Sequence, residues 1–128
     1  MTSIEQFLQS ASFGVVGAST DRSKFGNRVL RHYLKHHRIA YPVNPNEDAI
    51  EGIRCFATVT DLPTDTKSIS IITPPLITIK IVEAAIAKGI EHIWMQPGAE
   101  HLDAIALAEK HGINVIADGS CVLVVLRD

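Results

Sequence analysis

Four short stretches of this 128-residue chain carry residue types suited to holding a ligand. The first is Gly17-Ala18-Ser19-Thr20, running on through Asp21, Arg22, Ser23, Lys24 and Phe25 to Gly26. Glycine lets backbone approach a ligand closely, and small hydroxyl side chains place donors beside it. A helix that starts just after such a loop points its free N–H groups back at it, and these groups and the helix dipole favour an anion. Lys24 stands at that mouth. The chemistry indicated is phosphate binding; the plain alternative is an ordinary strand–helix turn.

The second stretch is Val43-Asn44-Pro45. The first stretch is not the G-x-G-x-x-G dinucleotide fingerprint, because Gly14 falls inside the preceding apolar run. A nicotinamide site also wants a carboxylate at the end of its second strand to hold ribose hydroxyls. Here the position carries Asn44, and no acid follows until Glu47. A ligand richer in phosphate fits better than NAD, which is kept as the alternative nucleotide reading. The third stretch, Thr73-Pro74-Pro75-Leu76, forms either an apolar wall for a base or an alkyl arm, or a rigid helix start. The fourth, Trp94-Met95-Gln96-Pro97-Gly98-Ala99, offers Gln96 as an amide partner for a ligand, with Trp94 expected in the core.

Other constellations are weaker. His32 and His36 stand four apart on one helix face, yet Lys35 sits beside them and no carboxylate joins them, so no metal site is expected. His101 and His111 read as solvated. No serine stands at nucleophile-elbow spacing, and no catalytic set is expected. Cys55 and Cys121 cannot build a disulfide framework and are expected as buried free thiols.

The net charge is -2, from 12 Lys and Arg against 14 Asp and Glu, which argues against a nucleic-acid binder. The distribution is uneven. Arg22, Lys24, Arg28, Arg31, Lys35 and Arg38 fall within positions 22–38 with Asp21 as the one neighbouring acid, and they are expected to gather beside the phosphate loop. No signal peptide is read at the start. The most membrane-like run, 69–87, is broken by Pro74, Pro75, Lys80 and Glu83. A cytoplasmic setting without membrane contact is the expectation.

The elements that must position these stretches alternate. Strands are predicted at 12–16, 39–43, 52–56, 68–73, 92–95 and 114–117, with one more at 121–126; Pro42 is expected to pull the end of the second out of its ladder. Helices are predicted at 25–37, 76–88 and 102–111, the last two closed by Gly89 and Gly112. Apolar strands alternating with amphipathic helices imply an α/β, Rossmann-like, doubly wound, mostly parallel sheet in three α/β/α layers, formed as one domain over 1–128. Ligands bind such sheets outside the carboxyl ends of the strands, where all four stretches lie.

The ordered set Val15-Val16-Gly17-Ala18-Ser19, Lys24-Phe25-Gly26, Tyr41-Pro42-Val43-Asn44-Pro45, Gly52-Ile53-Arg54-Cys55, Thr73-Pro74-Pro75, Gly89, Trp94-Met95-Gln96-Pro97-Gly98-Ala99 and Gly112-Ile113 resembles the small CoA-binding protein family. That family shares its domain with the N-terminal half of the succinyl-CoA synthetase α-subunit. The resemblance implies coenzyme A across the strand ends. Its phosphates would meet Gly17, Ala18, Ser19, Thr20 and the start of the first long helix, with Arg22 and Lys24 as partners. Its adenine would lie near Val43 and Asn44, and its pantetheine arm would pass Pro74 and Pro75 toward Gln96 and Gly98. Where the family often carries Asp-Arg-Cys, this chain reads Asp118-Gly119-Ser120-Cys121. The expectation is a CoA or acyl-CoA binding protein without catalytic residues of its own. The alternatives are an NAD or nucleotide module and a CoA-holding subunit of an acyl-CoA-processing enzyme. A second copy or such an enzyme would be its partner.

Overall fold

The computed structural model describes residues 1–127. Five parallel strands form one sheet in the order β2-β1-β5-β6-β7: β1 Ser12–Val16, β2 Ile39–Val43, β5 Ser68–Ile71, β6 His92–Met95 and β7 Asn114–Ile116. A separate antiparallel hairpin, β3 Ala49–Ile50 and β4 Ile53–Arg54, follows β2. The helices are α1 Ser3–Leu8, α2 Phe25–Lys35, α3 Pro75–Lys88, α4 Leu102–Lys110 and α5 Val122–Val125, with a single 3-10 turn at Val59–Asp61. The α/β, doubly wound, Rossmann-like reading holds.

Two apolar clusters cover the two faces. On one, Phe7, Val29, Leu30, Tyr33, Trp94 and Val122 join α1, α2 and α5 to the sheet. On the other, Val59, Ile71, Val82, Met95 and Ala108 join the 3-10 turn, α3 and α4 to it. Every residue of β1 and β5 is buried, as expected for strands covered on both sides. Trp94 is core, edge-on to Phe7 at 5.4 Å, and its indole N–H donates to Ser120 O at 3.0 Å. Gly14 leaves room for Leu62, whose methyl would lie 2.8 Å from an added Cβ.

Several local expectations change. Pro42 stays in register opposite Val15 at the sheet edge, where a missing N–H costs nothing, and its carbonyl accepts from Phe56 N at 2.9 Å. The segment expected as an edge strand at 52–56 is the second arm of the hairpin plus one bridge, Phe56 to Val43. The expected strand at 121–126 is helix α5 with its flanks. Val122 and Leu126 are buried at helical spacing while Val124 faces out, and Gln96 Oε1 accepts from Val122 N at 2.9 Å at the helix start. That tertiary contact outweighs the strand preference of a valine-rich run. The N-terminal helix α1 is set by a capping box between Thr2 and Glu5. His101 is not merely solvated: its Nδ1 accepts from Asp103 N and Ala104 N and caps α4.

Candidate functional site: the carboxyl ends of β1, β2 and β5

The direction of winding reverses at β1. Its helix α2 leads to β2 on one side, while β5 and α3 lie on the other. That reversal opens a crevice at the strand ends. A cleft of about 480 Å³ lies there, lined by Val16 and Gly17 of β1, Val43, Asn44 and Pro45 after β2, Thr73 after β5, Thr58 and Val59, and the α3 face of Ile77, Ile81 and Ala84. Its walls are mainly apolar.

Two glycines make the crevice. Gly17 has φ +97°, and a Cβ there would meet the Ile72 and Thr73 backbone at 3.3–3.4 Å. Gly26 lies in the first turn of α2, and a Cβ there would stand 2.1 Å from Gly17 O. The helix start is thus packed directly on the end of β1, closer than any other residue permits. Lys24 is the N-cap residue, its side chain caps nothing, and no acid lies in the first turn. The first N–H groups of α2 therefore lack both an intrahelical partner and a side-chain cap, which makes this end an anion acceptor.

The loop between is braced from inside. Asp21 Oδ1 accepts from Ser23 Oγ at 2.7 Å and Ser23 N at 2.9 Å, and these bonds hold its carboxyl below the usual range. Ser19 Oγ accepts from Asp21 N at 3.0 Å. Asn27, fully buried, donates from Nδ2 to Ser19 O at 2.8 Å, and its Oδ1 accepts from Arg31 Nε at 2.7 Å. Asn44 ties the two strand-end loops together. Its Nδ2 donates to Ala18 O at 2.8 Å, and its Oδ1 accepts from Asn46 N at 2.8 Å. Cys55 sits behind this lip, its thiol against Asn44 O at 3.5 Å, and burial pushes its pKa up.

The remaining expected site residues divide. Gly17, Val43, Asn44 and Pro45 line the cleft. Ala18, Ser19, Thr20, Arg22, Lys24, Phe25 and Gly26 form the loop and helix start beside it. Pro74 and Pro75 are the N-cap and first residue of α3, so they set the helix that carries Ile77 and Ile81. Gln96 is buried, its Oε1 engaged by Val122 N and its Nε2 without a partner among the described residues. Gly98 is exposed and its N–H donates to Glu100 Oε1 at 2.7 Å. The structure does not bring Gln96 or Gly98 to the cleft wall. The α3 residues Ile77, Ile81 and Ala84 were missed because their i, i+4, i+7 spacing reads as core.

The expected gathering of six basic residues at the phosphate loop is also corrected. Arg22 and Lys24 are there. Arg28, Arg31 and Lys35 line a second depression with His32 and Leu123, on the flank of α2 that meets α5. Arg38 lies beyond the far end of α2 and donates to Leu8 O. Arg28, Arg31 and Lys35 share one helix flank, and of them Arg31 still reaches back to the loop, donating to Arg22 O at 2.9 Å.

A family model described as a CoA binding domain matches residues 11–127. The chain belongs to this CoA-binding domain family. The domain is similar to part of the ADP-forming acetate–CoA ligase of Methanocaldococcus jannaschii, at 30% identity over 80 residues, which is 62% of this chain and 11% of that protein. It is also similar to the α-subunit of the ADP-forming acetate–CoA ligase II of Pyrococcus furiosus, at 23% identity over 88% of this chain and 27% of that subunit. A solved structure of a conserved hypothetical protein from Pyrococcus furiosus superposes with a TM-score of 0.84 at 35% identity, covering 88% of this chain and 97% of that one. The chain spans about a tenth to a quarter of the length of these two ligase relatives. Among the described residues no helix is long and apolar enough to cross a membrane, and no group of three or more His, Cys, Asp or Glu is placed to hold a metal.

Proposed function

We propose that this CoA-binding domain holds CoA or an acyl-CoA in the cleft at the ends of β1, β2 and β5, and contributes no covalent chemistry of its own. The observation that carries the reading is the uncapped start of α2, pressed against Gly17 by Gly26 at the edge of an apolar cleft. The residues fit CoA. The backbone N–H groups beyond Gly17, with Lys24 and Arg22, would take its phosphates. The apolar wall of Val43, Ile77 and Ile81 suits the adenine and the start of the pantetheine arm. Pro74 and Pro75 hold the α3 start rigid beside that path. When bound, CoA supplies a thiol to which an acyl group is attached. The domain's part is to grip the nucleotide end and orient the arm. Asn44 where a ribose carboxylate would stand disfavours NAD.

Titration calorimetry with CoA, 3′-dephospho-CoA and NAD tests this. One-to-one binding of CoA, weaker binding of the dephospho form and no heat with NAD are expected. Heat with NAD and none with CoA would overturn it. A second reading, in which the domain holds CoA for an acyl-transferring partner subunit, is favoured by the ligase relatives, in which it is similar to only part of a larger chain. Acyl-CoA turnover that appears only when a co-purified partner is added supports it; a partner-free protein with no turnover under any addition counts against it.

A further inference from the structure

The hairpin β3–β4 reaches the phosphate loop through an unusual residue. Glu51 and Gly52 form the two-residue turn between Ile50 and Ile53, with φ of +52° and +74°. Such a turn needs the left-handed region at both positions and is normally made by Asn, Asp or Gly. A glutamate there is strained, and strain of this kind persists where the surroundings hold it. What holds Glu51 is the mouth of the candidate site. Its Oε2 accepts from Asn27 Nδ2 at 3.1 Å and pairs with Arg22 Nε at 3.4 Å. Asn27 is the buried residue that also braces the Ser19 carbonyl. Beside it, Glu47 Oε2 accepts from Thr20 Oγ1 at 3.2 Å. Thus Thr20 and Arg22, two of the groups that face an incoming phosphate, already end on carboxylates of the following segment.

We propose that Glu51, assisted by Glu47, is a built-in anion that occupies the phosphate-binding groups of the free protein and is displaced when the phosphates of CoA arrive. The proposal rests on the CoA reading above and adds its regulation. A carboxylate and a phosphate cannot share Arg22 without mutual repulsion. Ligand therefore binds only the fraction of molecules in which Glu51 has let go, and apparent affinity falls by that fraction. Ile50 is buried and anchors the hairpin, so the element that moves is the Glu51 side chain at its strained tip. In its absence from the site, Arg22 is free to turn to the ligand while Asn27 keeps its bonds to Ser19 and Arg31. The competing account is that Glu51 merely positions Arg22 for the ligand, and it makes the opposite prediction.

The test is calorimetric titration of CoA, and separately of inorganic pyrophosphate, into the wild type and into the E51Q, E51N and E47Q variants. Gln keeps an acceptor for Asn27 and removes the charge. Asn suits the turn better than Glu, so E51N stays folded. E51Q and E51N are expected to tighten CoA by about threefold to tenfold and to steepen its salt dependence, because Arg22 is then left uncompensated, with E47Q giving about twofold or less. Equal or weaker binding of both ligands in both Glu51 variants would overturn the proposal and leave Glu51 as a positioning residue. Pyrophosphate needs the loop but neither the adenine nor the arm contacts. If no protein binds CoA while pyrophosphate tightens in E51Q, the CoA reading fails and the displaced-anion proposal stands.

Discussion

Two depressions, one at the strand ends and one on the flank of α2, are built on different principles. The strand-end cleft of about 480 Å³ is apolar, drawn from three strand ends and α3, and borders an uncapped helix start. The flank depression of about 290 Å³ is lined by Arg28, Arg31, His32 and Lys35, all from one helix, with Leu123 opposite. The second holds more charge, yet the first has what shapes a ligand: backbone from several elements fixed by glycines. In the flank, Arg31 is engaged with Asn27 and Arg22 O, and His32 donates to Leu126 O at 2.7 Å, so half of its polar lining serves to brace α2 and the chain end. Charge density along a sequence and the location of an anion site are separate properties. Topology decides the latter.

The comparison is broken most severely at Gly26. G26A places a methyl 2.1 Å from a backbone oxygen, which forces α2 off β1 and is expected to cost at least about 3 kcal/mol and abolish CoA binding. Urea denaturation and calorimetry would show both; a variant of wild-type stability would contradict the close-packed junction. Next is Asn44. N44D removes the donor to Ala18 O and sets a carboxylate against a carbonyl, with an expected loss of about 1–3 kcal/mol. The sharpest use of the two depressions pairs K24A with K35A. Both remove one exposed charge from α2, but only Lys24 stands at the cleft. K24A is expected to weaken CoA by about threefold to tenfold and K35A by less than about twofold at physiological salt. Equal losses would mean that the helix acts only through its overall field.

The smallest effect concerns the two thiols. Cys55 lies buried behind the cleft lip, where burial raises its pKa and keeps it protonated at neutral pH. Cys121 is half-buried at the start of α5. Iodoacetamide at pH 8 should alkylate Cys121 several times faster, and CoA should slow Cys55 further while leaving Cys121 unchanged. Faster loss of Cys55 would show the lip to be open.

The strand-end loops were legible because they depend on residue types with few alternatives. Gly17, Gly26 and the Pro74-Pro75 pair announce a close approach and a rigid start in any context. The sheet was legible from short apolar runs separated by glycine-closed helices. Three things were not. The helical state of 122–125 depends on Gln96, 26 residues upstream of Val122. The cleft wall of Ile77, Ile81 and Ala84 looks like any buried helix face until a missing neighbour leaves it open. The basic residues divide because Arg28, Arg31 and Lys35, at i, i+3 and i+7, share one flank of α2 while Arg22 and Lys24 stay at its start, so one cluster in sequence becomes two places in space. Glu51 fell in a turn whose handedness no local pattern revealed.

Amide chemical-shift mapping during a CoA titration tests the central claim most directly. The account predicts large, saturable shifts at Gly17–Thr20, Lys24–Gly26, Asn44 and Ile77, with Arg28, Lys35 and Leu123 nearly still. Shifts confined to Arg28, Lys35 and Leu123, or no shifts at saturating CoA, would contradict it.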